Sequence, residues 1–328
     1  MLDIAVIGAG RIGRIHATNA SRHPRISLKY IIDPVDAAAA ELASASGAKV
    51  ADLEEALADP AIGGVIVASS TDTHLEFCKR ATKAGKAVFC EKPLDLDLGK
   101  ARAASAQLDN ARLFLGFNRR FDPNFRKLHD RIHSGEMGPL ETLHIVSHDP
   151  APPPIEYVKI SGGMFKDMTI HDFDMARWIL GEDPVEVYST ATAVVDPAIG
   201  AAGDVDTAKI VLRTASGRIC VISNSRRSGY GYDQRIEAFC AKGLLRAGNI
   251  LSSTVESWSE AGSSTDPLQN FFLDRYADAY RAEMDHFADI LDGKALPLVG
   301  YDDGVSALVI AEAAMESHLT SAVVRIPY

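Results

Sequence analysis

The segment Asp167-Met-Thr-Ile-His171-Asp172-Phe-Asp174-Met-Ala-Arg177-Trp178 sets a carboxylate four positions before an imidazole. On a single helix that spacing brings the two side chains onto one face, within reach of each other. Such a pair suits the removal of a proton from an alcohol. The imidazole has an ordinary pKa of about 6.5, near working pH, and a neighbouring carboxylate fixes its tautomer and supports the imidazolium. Asp/His pairs in helices are commonly structural, so this one gains weight from its company: the glycine hinge Ser161-Gly-Gly163 before it and a cofactor motif elsewhere in the chain. The second constellation, Phe89-Cys-Glu91-Lys92-Pro93, closes an apolar run that reads as a strand. At the carboxyl end of a parallel strand Lys92 would point into the ligand crevice, where an ammonium can hydrogen-bond a substrate oxygen and stabilise alkoxide charge. The bland alternative is a solvated lysine or a local Glu91–Lys92 pair.

The third constellation supplies the hydride acceptor. Ile4-Ala-Val-Ile7 turns directly into Gly8-Ala-Gly10-Arg11-Ile12-Gly13, and an apolar-periodic segment continues to about Ser21. A strand, glycine turn and helix of this kind hold a dinucleotide pyrophosphate at the helix N-terminus. A second apolar run, Leu28-Lys-Tyr-Ile-Ile-Asp33, ends in a carboxylate about 20 residues further on, where ribose hydroxyls would lie. Asp33 repels a 2′-phosphate and so favours NAD over NADP; Pro34 and Val35 after it add no cation, while Arg11 in the glycine turn could swing toward the adenosine and weaken that preference. For a ring bearing several hydroxyls, the tyrosines of Tyr232-Asp-Gln-Arg235, Tyr276 with Tyr280 four positions on, and more weakly Tyr157, offer both hydrogen bonds and an apolar face. Core-edge tyrosines would look the same.

These residues need rigid elements to hold them. Up to about Gly116, short and almost continuously apolar runs (3–7, 28–33, 64–68, 87–91, 113–116) alternate with helical patterns (11–21, 36–46, 74–84, 96–108), the rhythm of an α/β, doubly wound parallel sheet. After about Phe121 longer β-rich stretches (140–147, 185–194, 207–212, 218–225) dominate, with fewer helices (170–180, 276–291, 305–317). The expected organisation is a dinucleotide-binding domain over 1–120 and an α+β domain over 121–328 carrying a large, mostly antiparallel open sheet, with the last helix able to pack back on the first domain. The proline-rich Asp149–Pro154 reads as a stiff loop that could wall the substrate cleft.

Composition narrows the function classes. Lys plus Arg number 34 against 44 Asp plus Glu, a net charge of −10, without a basic block or aromatic-basic interleaving, which argues against nucleic acid as a partner. A neutral polyol would feel little of that field. No apolar run approaches the ~20 residues of a membrane helix, so the expectation is a soluble, cytoplasmic protein with no membrane partner. The 4 cysteines have no metal-ligand spacing and read as buried apolar residues, and no metal is expected.

Glu91-Lys92-Pro93 after such an N-terminal half, Gly162-Gly163, and then Asp167-x-x-x-His171-Asp172 resemble the glucose–fructose oxidoreductase/inositol dehydrogenase (Gfo/Idh/MocA) family, and the resemblance spans essentially the whole chain. The stretch from Asp167 to Arg177, with Gly116-Phe-Asn118-Arg119-Arg120-Phe-Asp122, is most similar to its inositol 2-dehydrogenases. The resemblance implies a Rossmann domain, NAD-dependent oxidation of myo-inositol to 2-keto-myo-inositol, and a Lys92, Asp167, His171 catalytic triad with His171 as base. It implies that Ser69, Ser70, Thr71, His74 and Asn118 line the nicotinamide side, beside Glu91 and Lys92, that Lys92, Asn118, Asp167 and His171 also meet substrate, and that the protein is a homo-oligomer, commonly a tetramer. Many relatives carry a proline where this chain reads Ala68-Ser-Ser-Thr71. Alternatives are another inositol isomer, an aldose, a non-catalytic NAD-responsive regulator, or a partner-binding module using the open sheet face.

Overall fold

The computed structural model describes residues 1–108 and 112–328. It divides into two compact units, Met1–Phe121 with Ala279–Ser306, and Asp122–Asp278 with Ala307–Tyr328. The expected single boundary near residue 120 is thus accompanied by a later segment that joins the first unit.

In the first unit the elements run β1 (Leu2–Ile7), α1 (Arg11–Arg22), β2 (Ile26–Ile32), α2 (Asp36–Ser46), β3 (Lys49–Val50), α3 (Leu53–Ala58), β4 (Ile62–Val67), α4 (Thr71–Lys83), β5 (Ala87–Glu91), α5 (Leu98–Ala103), α6 (Ser105–Leu108) and β6 (Leu113–Gly116), then a 3₁₀ turn, Asn118–Phe121. The 6 strands form one sheet in the order β3-β2-β1-β4-β5-β6, every neighbouring pair parallel. Ile4, Ala5, Val6, Val65, Ile66, Val88 and Phe89 are completely buried, as expected of strands covered on both faces. The order reverses between β1 and β4, and such a switch point opens a crevice at the carboxyl ends of the strands. One expectation shifts here, and two elements appear that the sequence reading did not place. The single helix over 96–108 is two, α5 and α6, separated at Ala104, and the short β3 and α3 carry too few apolar positions to show a period. Asp52 starts α3 by accepting the Glu55 N–H at 2.7 Å.

In the second unit follow α7 (Pro123–His133), β7 (Leu140–His148), α8 (Ile155–Val158), α9 (Gly163–Asp167), α10 (Ile170–Leu180), β8 (Pro184–Thr192), α11 (Pro197–Ala201), β9 (Thr207–Thr214), β10 (Ile219–Ser225), β11 (Asp233–Cys240), β12 (Gly243–Ala247), the hairpin β13 (Glu256–Ser259) and β14 (Gly262–Thr265), and α12 (Phe272–Arg275). Helices α13 (Ala277–Leu291) and α14 (Tyr301–Thr320) come next, and β15 (Val324–Arg325) ends the chain. A 7-stranded sheet runs β12-β11-β7-β10-β9-β8-β15; only β10 and β7 pair in parallel, so the sheet is mostly antiparallel, as expected. Strand β11 escapes the sequence reading because its polar start hides the alternation of Ile236, Ala238 and Cys240, and β12, five residues long, is too short to show a period.

The alternation separates two faces. Leu143, Ile145, Ile210, Leu212 and Ile222 are buried, whereas Val211, Tyr188, Ile219 and Phe239 are each about two-fifths exposed. All four cysteines are buried, and burial pushes the Cys220 and Cys90 thiols far up, so they act as small apolar side chains. Among the described residues no helix is long and apolar enough to cross a membrane.

Candidate active site

The turn between β1 and α1 in the first unit is built by exclusion. Gly8 holds φ +107°, and a Cβ there would lie 2.5 Å from the Ala68 carbonyl oxygen. A Cβ on Gly13 would fall 1.9 Å from the Gly8 carbonyl oxygen, so α1 sits against the strand only because both positions lack side chains. At Gly10, the N-cap of α1, a Cβ would meet nothing within 4 Å, so the backbone there faces open space at a helix N-terminus. With Arg11, Ile12 and Gly13 forming the first turn, this is a cradle for an anionic bridge.

Asp33 stands directly after β2, beside that turn. Its Oδ2 accepts the Ala9 N–H at 2.6 Å and its Oδ1 the Val35 N–H at 2.8 Å. A carboxylate has about four lone-pair sites, so two bonds fix its orientation and leave capacity for a ribose diol. At the end of β4, Ser69 Oγ meets Thr73 Oγ1 at 2.6 Å, and Ser70 is the N-cap of α4, which begins at Thr71. His74 is buried with Nδ1 2.8 Å from the Pro93 carbonyl and Nε2 3.1 Å from that of Ser69. It braces the β4 and β5 ends against one another, and its ring nitrogens are already engaged by those carbonyls. Asn118 is buried in the 3₁₀ turn after β6.

Behind the β5 end lies a buried polar group that sequence spacing could not reveal. His16 Nε2 sits 2.6 Å from Glu91 Oε1, which gives the Glu91 carboxylate a buried partner on α1. Lys92 follows β5 and is joined to Pro93 by a cis peptide bond. Tyr280 on α13 places its ring 5.8 Å from the His16 ring, and on the same helix face Phe287 lies 5.7 Å from Phe89. Between them, one turn on from Tyr280, Glu283 is completely buried, and neither carboxyl oxygen has a hydrogen-bond partner among the described residues. Burial first, then the charge of Glu91, pushes its carboxyl well above the usual range. The folded state therefore keeps a proton that the unfolded chain releases, so this group's stabilisation is present in acid and is lost as pH rises toward the folded value. The Glu283→Gln protein should lose less stability than the parent on going from acid to mildly alkaline buffer, with a difference of at most about 1.4 kcal/mol per pH unit. Parallel denaturant melts across pH check this; parallel curves would refute it.

In the second unit Asp167 ends α9 and His171 lies in the first turn of α10. The expected single helix is interrupted: the His171 N–H bonds to Met168 O at 3.3 Å rather than to Asp167 O, and the Thr169 N–H reaches back to Met164 O at 2.9 Å. Thr169 and Asp172 cause the step. Both are fully buried and tied to Asn224 of β10, Thr169 Oγ1 donating to Asn224 Oδ1 and Asn224 Nδ2 donating to Asp172 Oδ2, each at 2.8 Å. The sheet thereby fixes the start of α10 and with it His171. Asp167 is held from two sides, by the Tyr157 hydroxyl donating to Oδ1 at 2.8 Å and by Arg226 Nη1 donating to Oδ2 at 3.4 Å. Tyr157 is 45% exposed, the most accessible of the four candidate tyrosines.

The other tyrosines lie apart. Tyr276 is not on the helix of Tyr280: it is the C-cap of α12 at φ −111°, one residue before α13, and the Arg275 guanidinium, paired with Asp122, lies 4.8 Å from its ring. Its hydroxyl donates to Gln234 Oε1 at 3.1 Å, and its ring meets Tyr232 edge-on at 6.0 Å. Both rings are buried in the second unit, whereas Tyr280 belongs to the first. Sequence reading missed Arg226, Asn224, His16 and Glu283, since each acquires its neighbours only across distant strands and helices. For Arg226 the available hint was its place as the first arginine of Asn224-Ser-Arg226-Arg227, directly after a β run.

Comparison with known proteins places this geometry in context. Residues 2–117 match a family model described as an oxidoreductase family with an NAD-binding Rossmann fold, and residues 125–246 match a GFO/IDH/MocA C-terminal domain. The chain is 46% identical over 320 residues to a myo-inositol 2-dehydrogenase of Thermotoga maritima, covering 96% of each chain. It is 44% identical over 314 residues to an inositol 2-dehydrogenase of Rhizobium meliloti, covering 95% of each. The scyllo-inositol dehydrogenase of Lactobacillus casei, solved with bound NAD(H) and scyllo-inositol, superimposes with a TM-score of 0.91 at 26% identity, over 99% of both chains.

Proposed function

Because this chain belongs to the GFO/IDH/MocA oxidoreductase family, we propose that its NAD-dependent oxidation of a CH–OH group is the oxidation of one ring hydroxyl of myo-inositol to 2-keto-myo-inositol. The observation that carries the substrate is the near full-length identity, 44% and 46%, to two relatives named for inositol oxidation. The β1–α1 turn and the oriented Asp33 carboxylate fit an adenine dinucleotide with a free ribose diol. When bound, NAD supplies the hydride acceptor.

The chain's own residues divide the remaining work. His171 takes the hydroxyl proton on its imidazole. Asp167, fixed by Tyr157 and Arg226, supports the imidazolium that results. Lys92 donates a hydrogen bond to the substrate oxygen and stabilises the negative charge that grows there as the C–H bond breaks. A homo-oligomer is part of the same reading, supported by the partly exposed apolar side chains Tyr188, Val211, Ile219 and Phe239 on one face of the sheet.

The direct test follows NADH absorbance with NAD or NADP against myo-, scyllo- and D-chiro-inositol, glucose and xylose. NAD-dependent turnover greatest on myo-inositol is expected; turnover confined to aldoses or to another isomer overturns the substrate. Asp33→Ser should lower kcat/KM for NAD by about tenfold to a hundredfold, the worth of hydrogen bonds to a charged group, and change the NADP value little or upward. Equal losses with both cofactors would show that Asp33 serves the turn alone.

A further inference from the structure

We propose that Arg226 is the positioning residue for Asp167, acting as a clamp that closes both ends of α9 onto a single buried guanidinium. The inference rests on the reading of Asp167 as part of the reacting group. Arg226 is only 1% exposed, among the largest fully buried side chains of the molecule. Its Nη1 reaches Asp167 Oδ2 at 3.4 Å, and its Nη2 lies 3.6 Å from Asp204 Oδ2. Asp204 in turn accepts the Met164 N–H on Oδ1 at 3.0 Å. Met164 lies in the first turn of α9 and Asp167 is its last residue. One cation thus holds the start of this five-residue helix through Asp204 and its end through Asp167 directly.

Such a helix has too few internal hydrogen bonds to hold its own shape, because short helices are marginal without outside support. The clamp provides that support. Its anchor is rigid: the Arg226 N–H donates to the Asp206 carbonyl at 2.8 Å, and the Asp206 carboxylate accepts the backbone N–H groups of Val194, Val195 and Asp196. Among the described residues Arg226 Nε and Nη2 and Asp204 Oδ2 are buried without a hydrogen-bond partner, so the guanidinium faces the two carboxylates as a charge and is not saturated by structural bonds. A planar guanidinium can address two carboxylates at once; an ammonium, as a compact point charge, addresses one well.

The clamp predicts graded effects. Arg226→Met should lower kcat for polyol oxidation about a hundredfold with the Kd for NAD unchanged. Arg226→Lys should recover about tenfold of that loss, and Asp204→Asn, which keeps an acceptor for Met164 but removes the charge, should lose about three- to tenfold. The Arg226→Met, Asp167→Asn double variant should be no slower than Asp167→Asn alone, because both changes act through one carboxylate. Multiplying losses in the double variant, or a kcat within about threefold of the parent in Arg226→Met, would overturn the clamp. Amide exchange at Met164–Thr169 reads it without substrate: protection should fall in Arg226→Met and Asp204→Asn, and return toward the parent value in Arg226→Lys. Unchanged protection overturns the clamp even if the parent enzyme prefers another polyol, whereas a parent inactive on every inositol with altered protection in the variants would sink the substrate and leave the clamp standing. Should Arg226→Met fail to fold, the lysine and asparagine variants carry the same test.

Discussion

Alanine at Lys92 is expected to lower kcat about 10²–10³-fold on the preferred polyol while the Kd for NAD changes less than about twofold. The magnitude is that of removing one donor aimed at a developing oxyanion, about 3–4 kcal/mol of transition-state stabilisation. The specificity of the effect follows from placement. Lys92 stands one residue beyond β5, whereas the turn after β1 and Asp33 lie at the ends of β1 and β2, so the proposed reading assigns cofactor binding and chemistry to different strand ends. Lys92→Arg should not restore the parent rate, because a planar fork does not reproduce a single ammonium donor at the end of a flexible stem. Steady-state kinetics with NAD titration by fluorescence separates the two quantities. Turnover within about threefold of the parent would remove Lys92 from the chemistry, and an equal loss in NAD affinity would reassign it to the cofactor.

The second large effect concerns Gly13. A methyl group there would sit 1.9 Å from the Gly8 carbonyl oxygen, a backbone atom on a strand that is itself fixed in the sheet. Helix α1 must move away, and its first-turn amides move with it. Gly13→Ala should weaken NAD binding by at least about a hundredfold and destabilise the protein by about 1–3 kcal/mol, the usual range for forced overpacking. Gly10→Ala provides the contrast. A Cβ at Gly10 meets no protein atom within 4 Å, so that variant should keep its thermal stability and lose NAD affinity through encroachment on the pyrophosphate. Calorimetric binding and thermal melts on both variants decide the matter; a Gly10 variant that binds NAD as the parent does would place the dinucleotide elsewhere.

Some of the molecule was legible residue by residue. The Gly8–Gly13 turn, the buried parallel strands and Asp33 follow from local rules, because backbone sterics, apolar runs and a fixed spacing act within about 30 residues. The second unit's sheet was legible in its alternating strands β7 to β10, and β11 was lost because Asp233, Gln234 and Arg235 begin it with polar side chains that only tertiary neighbours make tolerable. Asp233 is fully buried there and accepts from Tyr230, Arg235 and Asn249. The family itself was legible from Glu91-Lys92-Pro93 and the Asp167–Arg177 stretch, and the family models confirm it.

By itself, then, the sequence determined the chemistry-bearing residue types, the dinucleotide turn and the alternation of strands and helices, since each depends on neighbours close along the chain. Only the tertiary structure decided that Asp167 and His171 sit on two helices rather than one, that Tyr276 and Tyr280 part into separate units, and that Glu91 pairs with His16. It likewise placed Arg226 against Asp167, 59 residues away in the chain. The physical reason is common to all four: a buried ion pair, a buried amide and a buried carboxyl are tolerated only where distant elements satisfy or shield them, and no spacing in the sequence encodes which distant elements those will be.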